Sequence, residues 1–224
     1  MTGLDPLSLE EAARYMGVRG EPDAATADLI KRCELVVRNK VRPAYVYREV
    51  SVVPEDWGVF LPEVELRLPG RDIVRHLDGC AKAVILAATV SAEADKLIRQ
   101  AAVTDMAESL AYDCLCSAAV EQVCDKAEKE IFAGDTVRYR TWRFSPGYGD
   151  LPISVQGDFL RALNAQRRIG LTVTDSCLLL PSKSVTAIIG ISDTPPKHRR
   201  GSGCDICNMR DRCAFSKTGG CGRE

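Results

Sequence analysis

The sequence lacks both a large net charge and a long hydrophobic run. Its 30 Lys and Arg residues nearly balance its 31 Asp and Glu residues, which leaves a formal net charge of −1. This balance creates no global field that favours nucleic acid, so we expect no nucleic-acid partner. The longest apolar runs, "AVILAATV" and "SCLLLP", are too short to cross a bilayer, so we expect no membrane span. The first residues lack the charged and then apolar pattern of a secretion signal, and we therefore expect a cytoplasmic location.

The sequence also lacks a typical nucleotide-binding loop and has few histidines. No G-x-G-x-x-G loop follows a strand-like segment, so a conventional, self-contained methyltransferase is not expected. The chain contains 2 histidines, His76 and His198, and each has polar neighbours in the sequence. We therefore predict that neither histidine is a general base.

The 10 cysteines fall into two groups. Six lie singly in apolar stretches, where a cysteine of a reducing compartment usually acts as a small buried hydrophobe: Cys33, Cys80, Cys114, Cys116, Cys124 and Cys177. The other four are crowded between residues 204 and 221, after the Pro-, Gly- and Arg-rich linker "TPPKHRRGSG". This change of composition predicts a main domain up to about residue 193 and a small Cys-rich appendage beyond it.

Apolar periodicity and capping residues predict several helices in the main domain. Ser8 followed by Glu11 is a capping-box pattern, and a second helix is predicted over residues 24–41. A long helix is predicted from an N-cap at Thr104 to a stop at Gly134. Shorter helices are predicted in "DIVRHLDG" and in the stretch that contains "DFLRAL".

Strand-like segments alternate with these helices. They are "AYVYREVSVV", "VELRLPG", "KAVILAATV", "DTVRYRTWRF", "SCLLLP" and "SVTAIIGI". The third of them is apolar from Ala83 to Ala88 and is therefore predicted to be a buried strand. Helices and strands together predict an α+β main domain.

The long helix carries a carboxylate in an apolar setting. Glu121 lies three or four residues from Ser117 and Cys124, on a stripe that also includes Leu110 and Cys114. A carboxylate that leaves water needs a positive charge or hydrogen bonds in return. Two interpretations remain open: Glu121 reaches solvent at the edge of the stripe, or it faces a cation or an amino or hydroxyl group of a ligand.

The segment "RFSPGYGD", residues 143–150, places a cation and an aromatic ring on either side of a tight turn. Pro and Gly are common turn residues, so the pattern is compatible with an ordinary turn. It is also suited to a ligand, because Arg143 can donate two parallel hydrogen bonds to a carboxylate and Tyr148 offers a ring face or a hydroxyl. The backbone at Ser145 and Gly147 is accessible, since glycine has no side chain to block an approaching molecule.

These residues resemble a known motif. "RFSPGY" is similar to the Arg-x-x-x-Gly-Tyr motif of the activation domain of cobalamin-dependent methionine synthase. "AVEQVC", residues 119–124, resembles the long-helix segment of that family, and "LPSKSVTAIIG", residues 180–190, resembles the strand pair after the motif. The similarity extends over about residues 64–193, which divides the chain into an N-terminal segment 1–63, an activation-type domain 64–193, and a linker with a Cys-rich tail 194–224.

The resemblance implies a fold and a function. The family's domain is a C-shaped α+β fold with a twisted antiparallel sheet flanked by helices. It binds S-adenosylmethionine and places the methyl group over cobalt, so that oxidised, inactive cob(II)alamin is remethylated after a one-electron reduction. The protein then contributes position rather than acid–base chemistry. The sequence contains no cobalamin module, so the resemblance implies a separate partner: a cobalamin-carrying methionine synthase or a related corrinoid protein.

The resemblance also implies roles for individual residues. Arg143 holds the carboxylate of the ligand, Glu121 holds a polar ligand group, and Ser145 and Gly147 provide backbone contacts. Tyr148 packs beside the ligand. The family uses an early acidic residue as well, for which Asp56 in "PEDWG" is the candidate. It also uses a second tyrosine, for which this sequence offers no candidate, because no Tyr follows Tyr148.

The Cys-rich tail is a separate candidate site. Its cysteines follow the spacing C-x2-C-x5-C-x7-C, and four thiolates this close together suit zinc or an iron–sulfur cluster: Cys204, Cys207, Cys213 and Cys221. An iron–sulfur cluster is favoured over zinc because a reductive activator needs an electron path, and a metal-free tail is the third possibility. The nearby arginines suit an acidic electron donor such as a flavodoxin or ferredoxin, although such charges more often only contact solvent.

Two functions therefore compete at the level of sequence. The first is an activator that binds S-adenosylmethionine and supports reactivation of a corrinoid methyltransferase. The alternative is a metal-binding accessory protein for interaction or electron transfer that does not bind S-adenosylmethionine.

Overall fold

The computed structural model describes residues 3–134 and 139–195. The described residues form two compact units, each made from three stretches of chain. The helical unit contains residues 3–46, 87–134 and 164–185, and the strand unit contains residues 47–86, 139–163 and 186–195. The division of the sequence at residues 63 and 193 stays a prediction, and the four tail cysteines lie outside the described residues.

The helices and strands alternate along the chain as an α+β fold. The helices are α1 Leu9–Tyr15, α2 Ala24–Lys40, α3 Arg71–His76, α4 Ala92–Thr104, α5 Met106–Ile131, α6 Gln156–Leu163 and α7 Ala165–Ile169. The strands are β1 Ala44–Ser51, β2 Val53–Glu55, β3 Gly58–Leu61, β4 Leu66–Pro69, β5 Lys82–Thr89, β6 Tyr139–Arg140, β7 Thr172–Val173, β8 Leu179–Leu180 and β9 Ser184–Ser192. Short 3₁₀ turns precede β4 and α6.

The strands form three sheets. The largest has the order β1-β5-β9-β6, a second has the order β2-β3-β4, and β7 and β8 form a two-stranded ribbon. The pairs β2–β3, β3–β4, β6–β9 and β7–β8 are antiparallel. In the largest sheet, β5 is buried along its length except at Lys82, as its continuous apolar sequence predicts. The predicted α+β class is therefore confirmed.

The helical unit is built around α5. Helices α1, α2 and α4 all pack against it, and their apolar faces form one buried cluster. Leu115 and Ala119 of α5 are completely buried in this cluster, together with Val37 of α2. Burying a residue such as Leu115 stabilises a fold by roughly 1.5–3 kcal/mol, so this packing stabilises α5. The helix can then hold polar side chains in fixed positions.

Helices α1 and α2 begin where the sequence predicts, and α5 begins one residue later than predicted. The backbone N–H of Glu11 donates to the Ser8 hydroxyl at 3.1 Å, which is half of the predicted capping box. The N-cap of α5 is Asp105 rather than Thr104, which is the last residue of α4. The carboxylate of Asp105 accepts from the N–H groups of Ala107 and Glu108, and its negative charge also favours this helix end.

Several strands are shorter than the sequence suggests. The segment "DTVRYRTWRF" contains β6 and one further bridge from Phe144 to Ile188, while residues 135–138 lie outside the described part of the chain. The segment "AYVYREVSVV" is divided into β1 and the start of β2. Strand β3 was not predicted, because four residues are too few for a periodic signal.

The isolated cysteines behave largely as predicted. Cys33, Cys80, Cys114, Cys116 and Cys124 are buried, whereas Cys177 is half-buried at a positive φ of 64°. Burial raises the pKa of Cys33 to about 11 and that of Cys116 to about 12. Both groups are therefore neutral thiols at physiological pH, which fits packing rather than nucleophilic chemistry.

Candidate functional site

The turn after Arg143 has the arrangement of a type II turn. The Tyr148 N–H donates to the Ser145 carbonyl at 3.0 Å, with Pro146 and Gly147 as the central residues. Gly147 has a φ of +92°, a value that type II turns require at this position and that glycine adopts at no steric cost. The Gly147 N–H also donates to the Leu151 carbonyl at 2.9 Å, which closes the loop behind the turn.

Residues on either side of this turn are held in different ways. Phe144 is buried and forms an isolated bridge to Ile188 of β9, so the residue beside it, Arg143, adjoins a point attached to the sheet and is half-buried. Tyr148 is 56% exposed, while its ring packs edge-on against Phe144 at a centroid distance of 5.9 Å. A ring that is anchored on one edge and exposed elsewhere can stack on a ligand with little loss of side-chain entropy.

His76 of α3 is buried beside the segment that leads into the turn. Its ring lies 4.7 Å from that of Trp142 and 4.8 Å from that of Phe144. Loss of hydration lowers the pKa of His76 to about 4, although the nearby carbonyls of Trp142 and Ile188 favour protonation. The expectation of polar surroundings is therefore wrong for His76: its sequence neighbours are polar, but its spatial neighbours are aromatic.

The polar edge of His76 is bound to Thr141. The Nε2 atom lies 2.8 Å from the Thr141 hydroxyl, which also accepts from the Gly190 N–H at 2.8 Å. Gly190 belongs to β9, so this hydroxyl connects α3, the segment before the turn and the sheet. The Nδ1 atom is buried and makes no hydrogen bond of normal geometry within the described residues. A proton on His76 would therefore have little solvation, in agreement with its lowered pKa.

The far end of the segment is also attached to α3. Both carboxylate oxygens of Asp150 accept from α3, from the N–H of Arg71 at 2.7 Å and from that of Asp72 at 3.0 Å. The Asp72 carboxylate accepts in return from the Asp150 N–H at 3.2 Å. Dehydration favours the neutral form of Asp150, but the N–H groups of Asp72 and Arg71 outweigh it and lower the pKa of Asp150 below its usual value.

Glu121 lies on α5 in the helical unit, at the end of a polar stripe. Asp113, Ser117 and Glu121 are spaced four residues apart and therefore share one face of the helix. Glu121 and Ser117 are half-buried, whereas Leu110, predicted to share their buried stripe, is 46% exposed. The half-burial of Glu121 is compatible with both interpretations that the sequence left open.

Lys183, which was not among the predicted site residues, binds to two side chains of this stripe. The Nζ atom of Lys183 donates to the Ser117 hydroxyl at 3.0 Å and lies 2.8 Å from an Asp113 carboxylate oxygen. Only 15% of the Lys183 side chain is exposed. Lys183 precedes β9, so the ammonium attaches the loop between β8 and β9 to the middle of α5.

We expect Lys183→Ala to lower the free energy of unfolding by about 1 kcal/mol, because it removes a largely buried, charge-assisted hydrogen bond. The measurement is urea denaturation followed by circular dichroism. Lys96→Ala is the matched control: its bond to Glu93 joins two half-exposed side chains, 55% and 41% exposed. The control should change the stability by less than about 0.5 kcal/mol. Equal effects of the two substitutions would contradict the assigned role of Lys183.

The predicted site residues are thus divided between the two units. Arg143, Ser145, Gly147 and Tyr148 occupy one turn of the strand unit. Asp56 is an exposed residue of the same unit, in the turn between β2 and β3. Glu121 belongs to the helical unit. The structure therefore assembles four of the six residues from one local segment, and the roles of all six stay predictions.

The described part of the chain offers no group of three His, Cys, Asp or Glu residues that is arranged to hold a metal ion. The four tail cysteines lie outside it, so their metal binding stays a prediction from their spacing. Over residues 3–134 and 139–195, no helix has both the length and the hydropathy of a membrane span.

Comparisons with known proteins identify the fold. No protein-family model matches the sequence, and no curated protein matches it. Among solved structures, the chain is similar to a crystal structure of the MetH reactivation domain bound to AdoHcy, with a TM-score of 0.62 over 87% of this chain and 77% of that chain. The two sequences are 14% identical, so the likeness concerns the fold. It confirms the fold that the resemblance of the "RFSPGY" segment implied.

Proposed function

We propose that this protein binds S-adenosylmethionine at the turn formed by residues 143–148 and supports the reductive remethylation of cob(II)alamin. The corrinoid is carried by a separate partner, a cobalamin-dependent methionine synthase or a related corrinoid methyltransferase. The observation that carries the proposal is the conjunction of a MetH-reactivation-type fold with the Arg-x-x-x-Gly-Tyr motif on a type II turn. The similar structure holds AdoHcy, a ligand of the same chemical class.

The residues of the turn fit a ligand that has a carboxylate and an aromatic base. The guanidinium of Arg143 presents planar, paired donors that suit a carboxylate. Gly147 is exposed and has no side chain, so a ligand can approach the backbone closely. The exposed part of the Tyr148 ring supplies a stacking or edge contact. Each group binds or orients, and none has to transfer a proton.

The chain's part in the reaction is then one of placement. A separate donor, a flavodoxin or ferredoxin, supplies one electron to the cob(II)alamin of the partner, and S-adenosylmethionine supplies the methyl group and leaves as S-adenosylhomocysteine. Arg143 fixes one end of the ligand, while the turn and Tyr148 limit its rotation, so the methyl group is presented in one orientation. Holding reactants in a productive geometry is worth several kcal/mol of a barrier. In this proposal Glu121 and Asp56 bind polar groups of the ligand, and the protein acts in the cytoplasm.

The proposal is tested in two steps. Calorimetric titration of the whole chain with S-adenosylmethionine and with S-adenosylhomocysteine should show saturable binding of both. The corrinoid partner in its cob(II)alamin form is then supplied with this protein, S-adenosylmethionine and a chemical reductant, and methylcobalamin is followed by its absorption spectrum. We expect methylcobalamin to form only when all components are present. Absence of both binding and remethylation would refute the proposal.

The spacing of the tail cysteines supports a second function, in metal binding. We propose that Cys204, Cys207, Cys213 and Cys221 hold an iron–sulfur cluster, with zinc as the alternative. The test is metal analysis of anaerobically purified protein together with its absorption near 400 nm. A Cys204→Ser, Cys207→Ser double variant should lose the metal, whereas Cys177→Ser should retain it. Wild-type protein without bound iron or zinc would contradict this part of the proposal.

A further inference from the structure

Helix α3 contacts the ligand-binding segment at both of its ends. The segment runs from Thr141 to Asp150 and contains the proposed ligand turn in its middle. His76 of α3 contacts the first residues of this segment, and Asp72 contacts the last. Neither His76 nor Asp72 belongs to the motif, and the sequence predicts no binding role for either residue.

The contact at the first end combines a hydrogen bond with ring packing. The His76–Thr141 bond, 2.8 Å long, lies two residues before Arg143. The rings of Trp142 and Phe144, on either side of Arg143, both pack against the imidazole. His76 therefore contacts Thr141, Trp142 and Phe144, which lie just before and just after Arg143. These contacts restrict the backbone from which the guanidinium projects.

The contact at the second end is reciprocal. Asp150 accepts from two N–H groups of α3, and Asp72 accepts from the N–H of Asp150, so three hydrogen bonds join the two chain segments. Two glycines make this approach possible. A Cβ atom at Gly70 would lie 2.4 Å from an Asp150 carboxylate oxygen, and one at Gly149 would lie 2.3 Å from an Asp72 oxygen. The close approach of the segments thus depends on the absence of side chains at these positions.

The second half of the turn in this segment is exposed. Gly147 and Tyr148 are exposed, and the described contacts of the Tyr148 ring are to Phe144, itself packed on His76. A chain fixed at two points about ten residues apart, with a type II turn between them, has few conformations left to lose when a ligand binds.

We propose that α3 is a positioning helix for the ligand turn: His76 and the Asp72–Asp150 pair hold the two ends of the segment so that Arg143 and Tyr148 face the ligand in a preformed geometry. The inference rests on the proposed function, because it names residues that act on S-adenosylmethionine binding without touching the ligand. His76 is neutral and aromatic here, and its role is to position Thr141 and the neighbouring rings rather than to exchange protons.

The first measurement needs no ligand. The chain contains 2 tryptophans, Trp57 and Trp142, so a Trp57→Phe background leaves Trp142 as a reporter that contacts His76 directly. In this background we compare Thr141→Val, which removes the hydroxyl, with Thr141→Ser, which retains it. Acrylamide quenching of Trp142 fluorescence should rise by about twofold in Thr141→Val, because the segment opens locally, and should stay unchanged in Thr141→Ser.

The second measurement is the dissociation constant of S-adenosylmethionine for the same proteins, by calorimetry. We expect Thr141→Val to bind about tenfold more weakly, whereas Thr141→Ser binds like its parent. Unchanged quenching in Thr141→Val would overturn the inference, and so would increased quenching with an unchanged dissociation constant. If the parent protein itself does not bind the ligand, the proposed function fails, and the quenching data decide whether the Thr141 hydroxyl, bonded to His76 of α3 and to Gly190 of β9, holds the segment.

A second pair of variants tests the other end and covers the case in which Thr141→Val does not fold. Asp150→Ala removes two of the three hydrogen bonds to α3, while Asp158→Ala removes an exposed carboxylate on α6 that pairs with Arg161. Asp150→Ala should weaken binding about tenfold, and Asp158→Ala should leave it unchanged. Equal affinities of these two variants would overturn the role assigned to Asp150.

Discussion

Arg143→Ala is expected to weaken the binding of S-adenosylmethionine by at least about a hundredfold, the largest single loss we predict for this chain. Two charge-assisted hydrogen bonds to a carboxylate are together worth about 3 kcal/mol or more, and 1.4 kcal/mol corresponds to a tenfold change in affinity. Calorimetric titration of the whole chain measures the effect. Arg143→Lys should recover part of the affinity, because an ammonium retains the charge but not the paired donors.

Arg161→Ala is the control for this prediction. Arg161 is in the same unit, on α6, and its side chain is 77% exposed. The Arg161→Ala variant should bind the ligand with wild-type affinity. Thermal unfolding of both variants separates a loss of binding from a loss of folding, since Arg143 is half-buried and makes contacts of its own. If Arg143→Ala folds and binds like wild type, the turn is not the ligand site.

The second large effect is a dependence of stability on pH that is due to His76. Its pKa is lowered to about 4 in the folded protein, against an ordinary value of 6.5. Between these values the unfolded chain binds a proton that the folded chain does not. The free energy of unfolding therefore falls as the pH falls from 6.5 to about 4, by roughly 3 kcal/mol in all. Above pH 6.5 this contribution is fully present.

Urea denaturation across this pH range measures the effect, with His76→Gln as the matched variant. Glutamine can still bond to the Thr141 hydroxyl but does not titrate. Carboxylates with lowered pKa, such as Asp150, contribute a similar slope in both proteins, so the difference between the two curves isolates His76. Parallel curves for wild type and His76→Gln would show that the histidine titrates normally.

The helices and the turn at residues 145–148 are the features that the sequence predicts best. Helix α2 runs from Ala24 to Lys40, close to the predicted residues 24–41, because an apolar stripe and the capping residue Asp23 agree about its start. The type II turn follows from Pro146 and Gly147, whose backbone preferences are local. In each case the determining interactions lie within a few residues of one another.

The surroundings of the turn were not predictable in the same way. Thr141 is 65 residues from His76, and Asp150 is 78 residues from Asp72 and is bonded to it only because the chain folds. His76 appeared polar because Arg75 lies beside it, but adjacent residues of a helix point in different directions. The informative neighbour was Ile73, three residues earlier and completely buried, which lies on the same face of α3 as His76.

The interleaved composition of the two units has a consequence for synthesis on the ribosome. The helical unit needs residues 164–185 and the strand unit needs residues 186–195, so neither unit is complete until its third segment has been synthesised. Until then β5 lacks its neighbour β9 in the largest sheet, whereas the buried residues of the apolar cluster around α5 all lie between residues 4 and 124. The sheet therefore forms through contacts between distant parts of the chain, and such non-local pairing is in general slower than local pairing.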